Sequence, residues 1–145
     1  MANKSFVIER TYPATINRVW KAITDKEEMK LWYFDLPEFK PEVSLEFQFM
    51  GGLTEDRQYH HLCKITEVVS VKKIAYSWRY EGYPGDTLVT FELFDEGNQT
   101  RLKLTHVGLE SFPADNPDLD AENFAKGWTE IIGTSLKEFM DNPKY

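Results

Sequence analysis

From Val43 to His106 the sequence alternates apolar and polar residues in five short runs, and this pattern constrains the fold more than any other feature. Val43, Leu45, Phe47 and Phe49 alternate with Ser44, Glu46 and Gln48. Tyr59, His61, Cys63 and Ile65 alternate with His60, Lys64 and Thr66, and Ile74, Tyr76, Trp78 and Tyr80 with Ala75, Ser77 and Arg79. Val89, Phe91 and Leu93 then stand against Thr90 and Glu92, and Leu102, Leu104 and His106 against Arg101, Lys103 and Thr105. Successive side chains on a strand point to opposite faces, so this period of two describes a sheet with one apolar and one wet face. Gly51-Gly52, Gly82 to Gly85 with Pro84, and Glu96-Gly97-Asn98 read as turns between the runs. Connections this short join neighbours, which makes the sheet an antiparallel meander.

Such a sheet must bury its apolar face. Phe124, Trp128, Ile131, Ile132, Leu136 and Phe139 form a broad apolar stripe at helical spacing near the C-terminus. Asp120 or Asn116 is placed to cap that helix, and Asn142-Pro143 to end it. Ahead of the meander, Phe6 to Tyr12 reads as a strand stopped by Pro13. Ile16, Val19, Trp20 and Ile23 then recur at helical spacing, and Asp25 with Glu28 resembles a capping box for a second short helix ending near Trp32. Leu36 to Pro41 is a loop. The expected architecture is α+β: a curved antiparallel sheet of about six strands wrapped around a long C-terminal helix, with two short helices after the first strand.

Residues 1–145 show no repeat, linker or low-complexity tract, so one domain is expected. The net charge of −7 disfavours an electrostatic grip on nucleic acid or anionic lipid. No apolar run is long enough to insert into a membrane, and Met1 to Ser5 lack the apolar stretch of a secretory signal. Cys63 is the only cysteine, so no internal disulfide is expected. These features together suggest a cytoplasmic protein.

Several stretches resemble one known family. Glu9-Arg10 through Ala14, then Val19-Trp20-Lys21-Ala22-Ile23-Thr24-Asp25, is similar to an arginine–apolar–helix opening, with Trp32 following. Ala75-Tyr76-Ser77-Trp78 and Val89 to Leu93 through Thr100 to His106 look like a central hairpin, and Gly127-Trp128 with Ile132 and Leu136 like a Gly-Trp helix opening. The chain thus resembles the activator of Hsp90 ATPase homologue 1-like family, the Aha1 C-terminal domain, within the START-like (Bet v 1-like, SRPBCC) superfamily. That resemblance implies a helix-grip fold and a cavity between sheet and helix, since related folds bind sterols, lipids and plant hormones there. It also points to an Hsp90-type chaperone as a partner. Cys63 stands where many relatives have glycine and Ser135 where leucine is commoner, and both changes would alter what a pocket accepts.

The expected function is therefore a non-catalytic START-like domain that binds a small hydrophobic molecule. The alternatives are an Hsp90 co-chaperone-like interaction module, or a cyclase or isomerase using the same cavity. Cavity candidates are Trp20, Trp32, Phe47, Tyr59, His61, Cys63, Tyr76, Trp78, Phe91, Leu104, His106, Phe124, Trp128, Ile131 and Ser135. Most of these would serve equally as core, because a ring on an apolar face packs whether or not a ligand is present. His61, Cys63 and His106 fall on inward phases, but no fourth ligand accompanies them, so neither a metal site nor a catalytic triad is expected, and no cofactor. Should the cavity prove enzymatic, the inward phase offers His61, Tyr76, Tyr80 and His106 to steer a proton, with Arg10 or Glu67 at the rims.

Overall fold

The computed structural model describes residues 5–52, 58–113, 115–116 and 119–141; Met1 to Lys4 and Asn142-Pro143 lie outside them. The chain forms β1 (Ser5–Tyr12), α1 (Ile16–Thr24), α2 (Lys26–Trp32), β2 (Glu46–Gly52), β3 (Gln58–Val69), β4 (Lys73–Tyr80), β5 (Thr87–Asp95) and β6 (Thr100–Val107). A 3₁₀ turn, Leu109–Ser111, leads towards the C-terminal helix, which runs as α3 (Ala121–Glu130), a π-helical turn (Ile131–Ser135) and α4 (Leu136–Asp141). The sheet has six strands in the order β1-β6-β5-β4-β3-β2, every pair antiparallel. Strands β2 to β6 are thus the expected meander, and β1 closes onto β6. A bulge between Ile65 and Glu67 sharpens the bend of β3, and the sheet curves around the C-terminal helix.

The alternation read from the sequence sets the inner face. Phe47, Phe49, His61, Cys63, Ile65, Ile74, Tyr76, Trp78, Tyr80, Val89, Phe91, Leu93, Leu102, Leu104 and His106 are all buried. Two details differ. Val43 is 57% exposed, because Ser44 takes a φ of 77° and breaks the extended backbone before β2 begins at Glu46. Gly51 and Gly52 are strand residues rather than a turn, paired with Tyr59 and Gln58. Gly51 is glycine because of what packs over it: a Cβ there would sit 3.1 Å from the Phe34 ring and 3.2 Å from the His61 ring.

The helices start where side chains cap them. Thr15 accepts from the Arg18 amide at 3.4 Å, and the Asp25 carboxylate accepts from the Glu27 amide at 3.0 Å. Only half of the expected capping box forms. The Glu28 carboxylate is drawn away by Arg18 at 2.6 Å and Lys21 at 3.4 Å, while the Asp25 amide bonds to the Lys21 carbonyl. Asp120, not Asn116, occupies the cap of the C-terminal helix, and its side chain makes no capping bond. In the loop after α2, Leu36 and Phe39 are buried and pin the chain under the sheet.

The π turn has a readable cause. Phe124, Trp128, Ile132 and Leu136 are buried at successive steps of four residues. On a regular α-helix each such step drifts by about 40°, so the stripe would rotate off the sheet. One wider turn, in which the Leu136 amide reaches back to the Ile131 carbonyl, absorbs the drift. The Tyr12 hydroxyl donates to the Ile132 carbonyl at 2.6 Å, satisfying a backbone group inside that turn from β1. Ile131 is pushed off the buried stripe to a half-buried position.

Candidate functional site

Sheet and helix do not close completely. Between β3, β4 and the first half of the C-terminal helix lies a cavity of about 290 Å³, open to solvent and lined by Phe34, Gly51, Tyr59, His61, Trp78, Tyr80, Leu119, Asn123, Phe124, Gly127, Trp128, Glu130 and Ile131. Its wall is mostly ring faces. Phe34 packs on Phe49 with centroids 4.5 Å apart and approaches Trp78 at 6.5 Å, while Trp78 and Trp128 stand 5.5 Å apart. His61 meets the Tyr80 ring edge to face at 4.7 Å, and Phe124 faces Tyr80 at 6.5 Å.

The indole N–H groups of this wall and the imidazoles at or behind it are hydrogen-bonded within the protein. The Trp128 indole N–H donates to His106 Nδ1 at 3.0 Å. An indole can only donate, so Nδ1 carries the lone pair and the neutral ring keeps its proton on Nε2. Nε2 therefore donates to Thr87 Oγ1 at 2.8 Å, and that hydroxyl donates to the Trp78 carbonyl at 2.6 Å. This chain joins the C-terminal helix to β6, β5 and β4, with every proton position fixed. His106 is fully buried, and burial lowers its pKa to about 3. His61 donates from Nδ1 to the Tyr59 carbonyl at 3.0 Å, and burial lowers its pKa to about 4. Both imidazoles are neutral at pH 7. Burial also pushes the Cys63 thiol up, so it stays protonated and weakly reactive.

Among the sequence candidates, the fold brings Tyr59, His61, Trp78, Phe124, Trp128 and Ile131 together around the cavity. Phe47, Cys63, Tyr76, Phe91 and Leu104 are buried beyond it. The space there is filled by Tyr33, whose hydroxyl bonds that of Tyr76 at 2.8 Å and whose ring packs 6.2 Å from Trp128 and 6.4 Å from Phe91. Trp32 closes the back of that plug, its indole donating to the Ala22 carbonyl at 2.8 Å. His106 stands behind Trp128, half-buried Trp20 lies on α1, and Ser135 sits in the π turn; none of them lines the cavity. Among the described residues, no group of three His, Cys, Asp or Glu side chains is placed to hold a metal ion.

Phe34, Gly51, Leu119, Asn123, Gly127 and Glu130 line the cavity without having been candidates. Phe34 and Leu119 come from loops, where no periodicity marks the inward side. Gly127 carries a signal that could have been found, namely a glycine inside a helix. A Cβ at Gly127 would meet no other atom within 4 Å, so packing does not demand glycine there.

A curved six-stranded sheet gripping a C-terminal helix, with a ring-lined cavity between them, defines a helix-grip protein. Residues 13–141 match the family model described as "Activator of Hsp90 ATPase homolog 1-like protein", and the chain belongs to that family. A search of curated proteins finds no match. Among solved structures, the chain is similar to protein Mll3558 from Rhizobium loti at 23% identity and a TM-score of 0.81, covering 95% of this chain and 97% of that one. It is similar to CalU16 from Micromonospora echinospora at 23% identity and 0.73, covering 98% and 78%. BH1534 from Bacillus halodurans is similar at 21% and 0.74, covering 97% and 100%. Among the described residues, no helix is long and apolar enough to cross a membrane.

Proposed function

We propose that residues 1–145 act as one START-like domain that binds a small hydrophobic molecule, without catalysis, in the cavity between the sheet and the C-terminal helix. The observation that carries this reading is the wall itself. Rings form most of it, and the histidines and indoles at or behind it are already paired within the protein, so an apolar guest displaces little that is hydrogen-bonded. Gly127 supports it, because an alanine would fit and stabilise the helix, yet the position at the cavity rim is left empty. In this reading the protein works in the cytoplasm, in keeping with a single buried thiol.

A cyclase or isomerase is the weaker alternative. His106 has both ring nitrogens engaged away from the cavity, which leaves His61 as the only histidine on its wall. A chaperone partner rests on the family description alone, and an unchanged Hsp90-type ATPase rate in the presence of this protein would remove it.

Fluorenone, a flat three-ring probe, tests the cavity. It is expected to quench the emission of Trp78 and Trp128 and to raise the melting temperature, since a ligand at ~100 times its Kd adds about 2.7 kcal/mol. Absence of both effects refutes the reading.

A further inference from the structure

Among the described residues, the Tyr80 hydroxyl proton of the cavity wall has no acceptor. The Tyr80 hydroxyl oxygen accepts the Trp78 indole N–H at 2.8 Å. That bond occupies an oxygen lone pair and leaves the hydroxyl's own proton to donate elsewhere. Among the described residues, no side chain or carbonyl takes it. Tyr80 is 6% exposed, and burial holds its phenol above the usual range, so it is a donor and not a phenolate. Both rings of this Trp78–Tyr80 pair border the cavity. The two ring N–H groups beside it are committed: Trp128 to His106, and His61 Nδ1 to the Tyr59 carbonyl.

The charges of the wall narrow the guest further. Among the described lining residues Glu130 is the only charged one, and no lysine or arginine accompanies it. An anion would lose its hydration against neutral rings, with no cation to pair it and a carboxylate at the rim. Burying an unpaired charge in that way is strongly unfavourable. Glu130 is exposed and cannot follow a cation inwards. An uncharged molecule meets neither cost, and an oxygen acceptor on it would take the Tyr80 proton.

We propose that Tyr80 is the specificity-determining donor of the cavity, and that the ligand class is an uncharged, flat molecule carrying a hydrogen-bond-accepting oxygen. This rests on the cavity reading above. The test compares three probes of one shape by tryptophan quenching: fluorene, which lacks an acceptor, fluorenone, which has one, and fluorenone carboxylate, which is charged. The preference for fluorenone over fluorene is expected to fall about 3- to 10-fold in Tyr80→Phe, the range of one neutral hydrogen bond. The carboxylate is expected to bind most weakly. A preference that survives the substitution, or a carboxylate that binds most tightly, overturns the proposal and leaves the cavity reading standing. No binding by any probe removes the cavity reading itself. Because Tyr80→Phe strands the Trp78 indole, a second measurement uses the unaltered protein: the carbonyl stretch of bound fluorenone. It is expected below its frequency in hydrocarbon solvent, and an unshifted band overturns the proposal.

Discussion

Replacing Gly127 by alanine should make the protein more stable while replacing it by leucine should make it useless as a receptor. Gly127 lies inside α3, with a backbone that any residue can adopt, and its carbonyl accepts the Ile131 amide. A Cβ there touches nothing within 4 Å, so alanine introduces no strain. Its gain is the helix-interior difference between the two residues, about 0.8–1.0 kcal/mol. For a chain of 145 residues that corresponds to a rise of roughly 3 °C in Tm. Leucine has nearly the helix propensity of alanine, so Gly127→Leu should also fold at least as well as the parent. Its side chain, however, enters a cavity of only about 290 Å³. Thermal melts of both variants, paired with fluorenone quenching, separate the two effects. The expected pattern is higher Tm in both, quenching reduced in Gly127→Ala and abolished in Gly127→Leu. A lower Tm for Gly127→Ala would mean that packing requires the glycine. Undiminished quenching in Gly127→Leu would mean that the ligand sits elsewhere. Either result refutes the reasoning.

Acid should destabilise the protein through its two buried histidines. Their pKa values fall from about 6.5 unfolded to about 4 for His61 and about 3 for His106 when folded. Between those limits the unfolded chain binds more protons, so stability is full above pH 6.5 and falls as pH drops, by up to ~1.4 kcal/mol per pH unit per histidine. Urea midpoints measured from pH 7 to pH 4.5 should therefore decline, and His106→Gln should decline less steeply; a flat profile in the parent protein would contradict the neutral, buried assignment. Tyr12→Phe removes the donor to the Ile132 carbonyl and should cost about 1–3 kcal/mol by leaving that group unsatisfied. Amide exchange should speed up in the π turn before it does in β5; a loss spread evenly over the sheet would show that the bond does not hold the turn.

Much of this was legible along the chain because strand and helix periodicities are local. The alternation from Phe47 to His106 is enough to assign the inner face of the sheet, since a one-residue slip would expose every ring. The stripe from Phe124 to Phe139 likewise marks the helix that covers it. Tyr59, His61, Trp78, Phe124, Trp128 and Ile131 reach the cavity from positions that these patterns already turned inward. The resemblance carried by Gly127-Trp128 and its companions agrees with the match over residues 13–141.

Only tertiary structure could decide which inward residues pack and which face empty space. That depends on two loop residues without periodicity: Tyr33, which packs against Tyr76, Phe91 and Trp128, and Phe34, which walls the space left open. It depends on Gly51, whose lack of a side chain is required by two rings distant in sequence. It depends as well on the π turn, which arises because four-residue steps on a 3.6-residue helix must be reconciled with a fixed sheet. A sequence specifies which face of each element is apolar, and the volume left between two such faces is settled only when they meet.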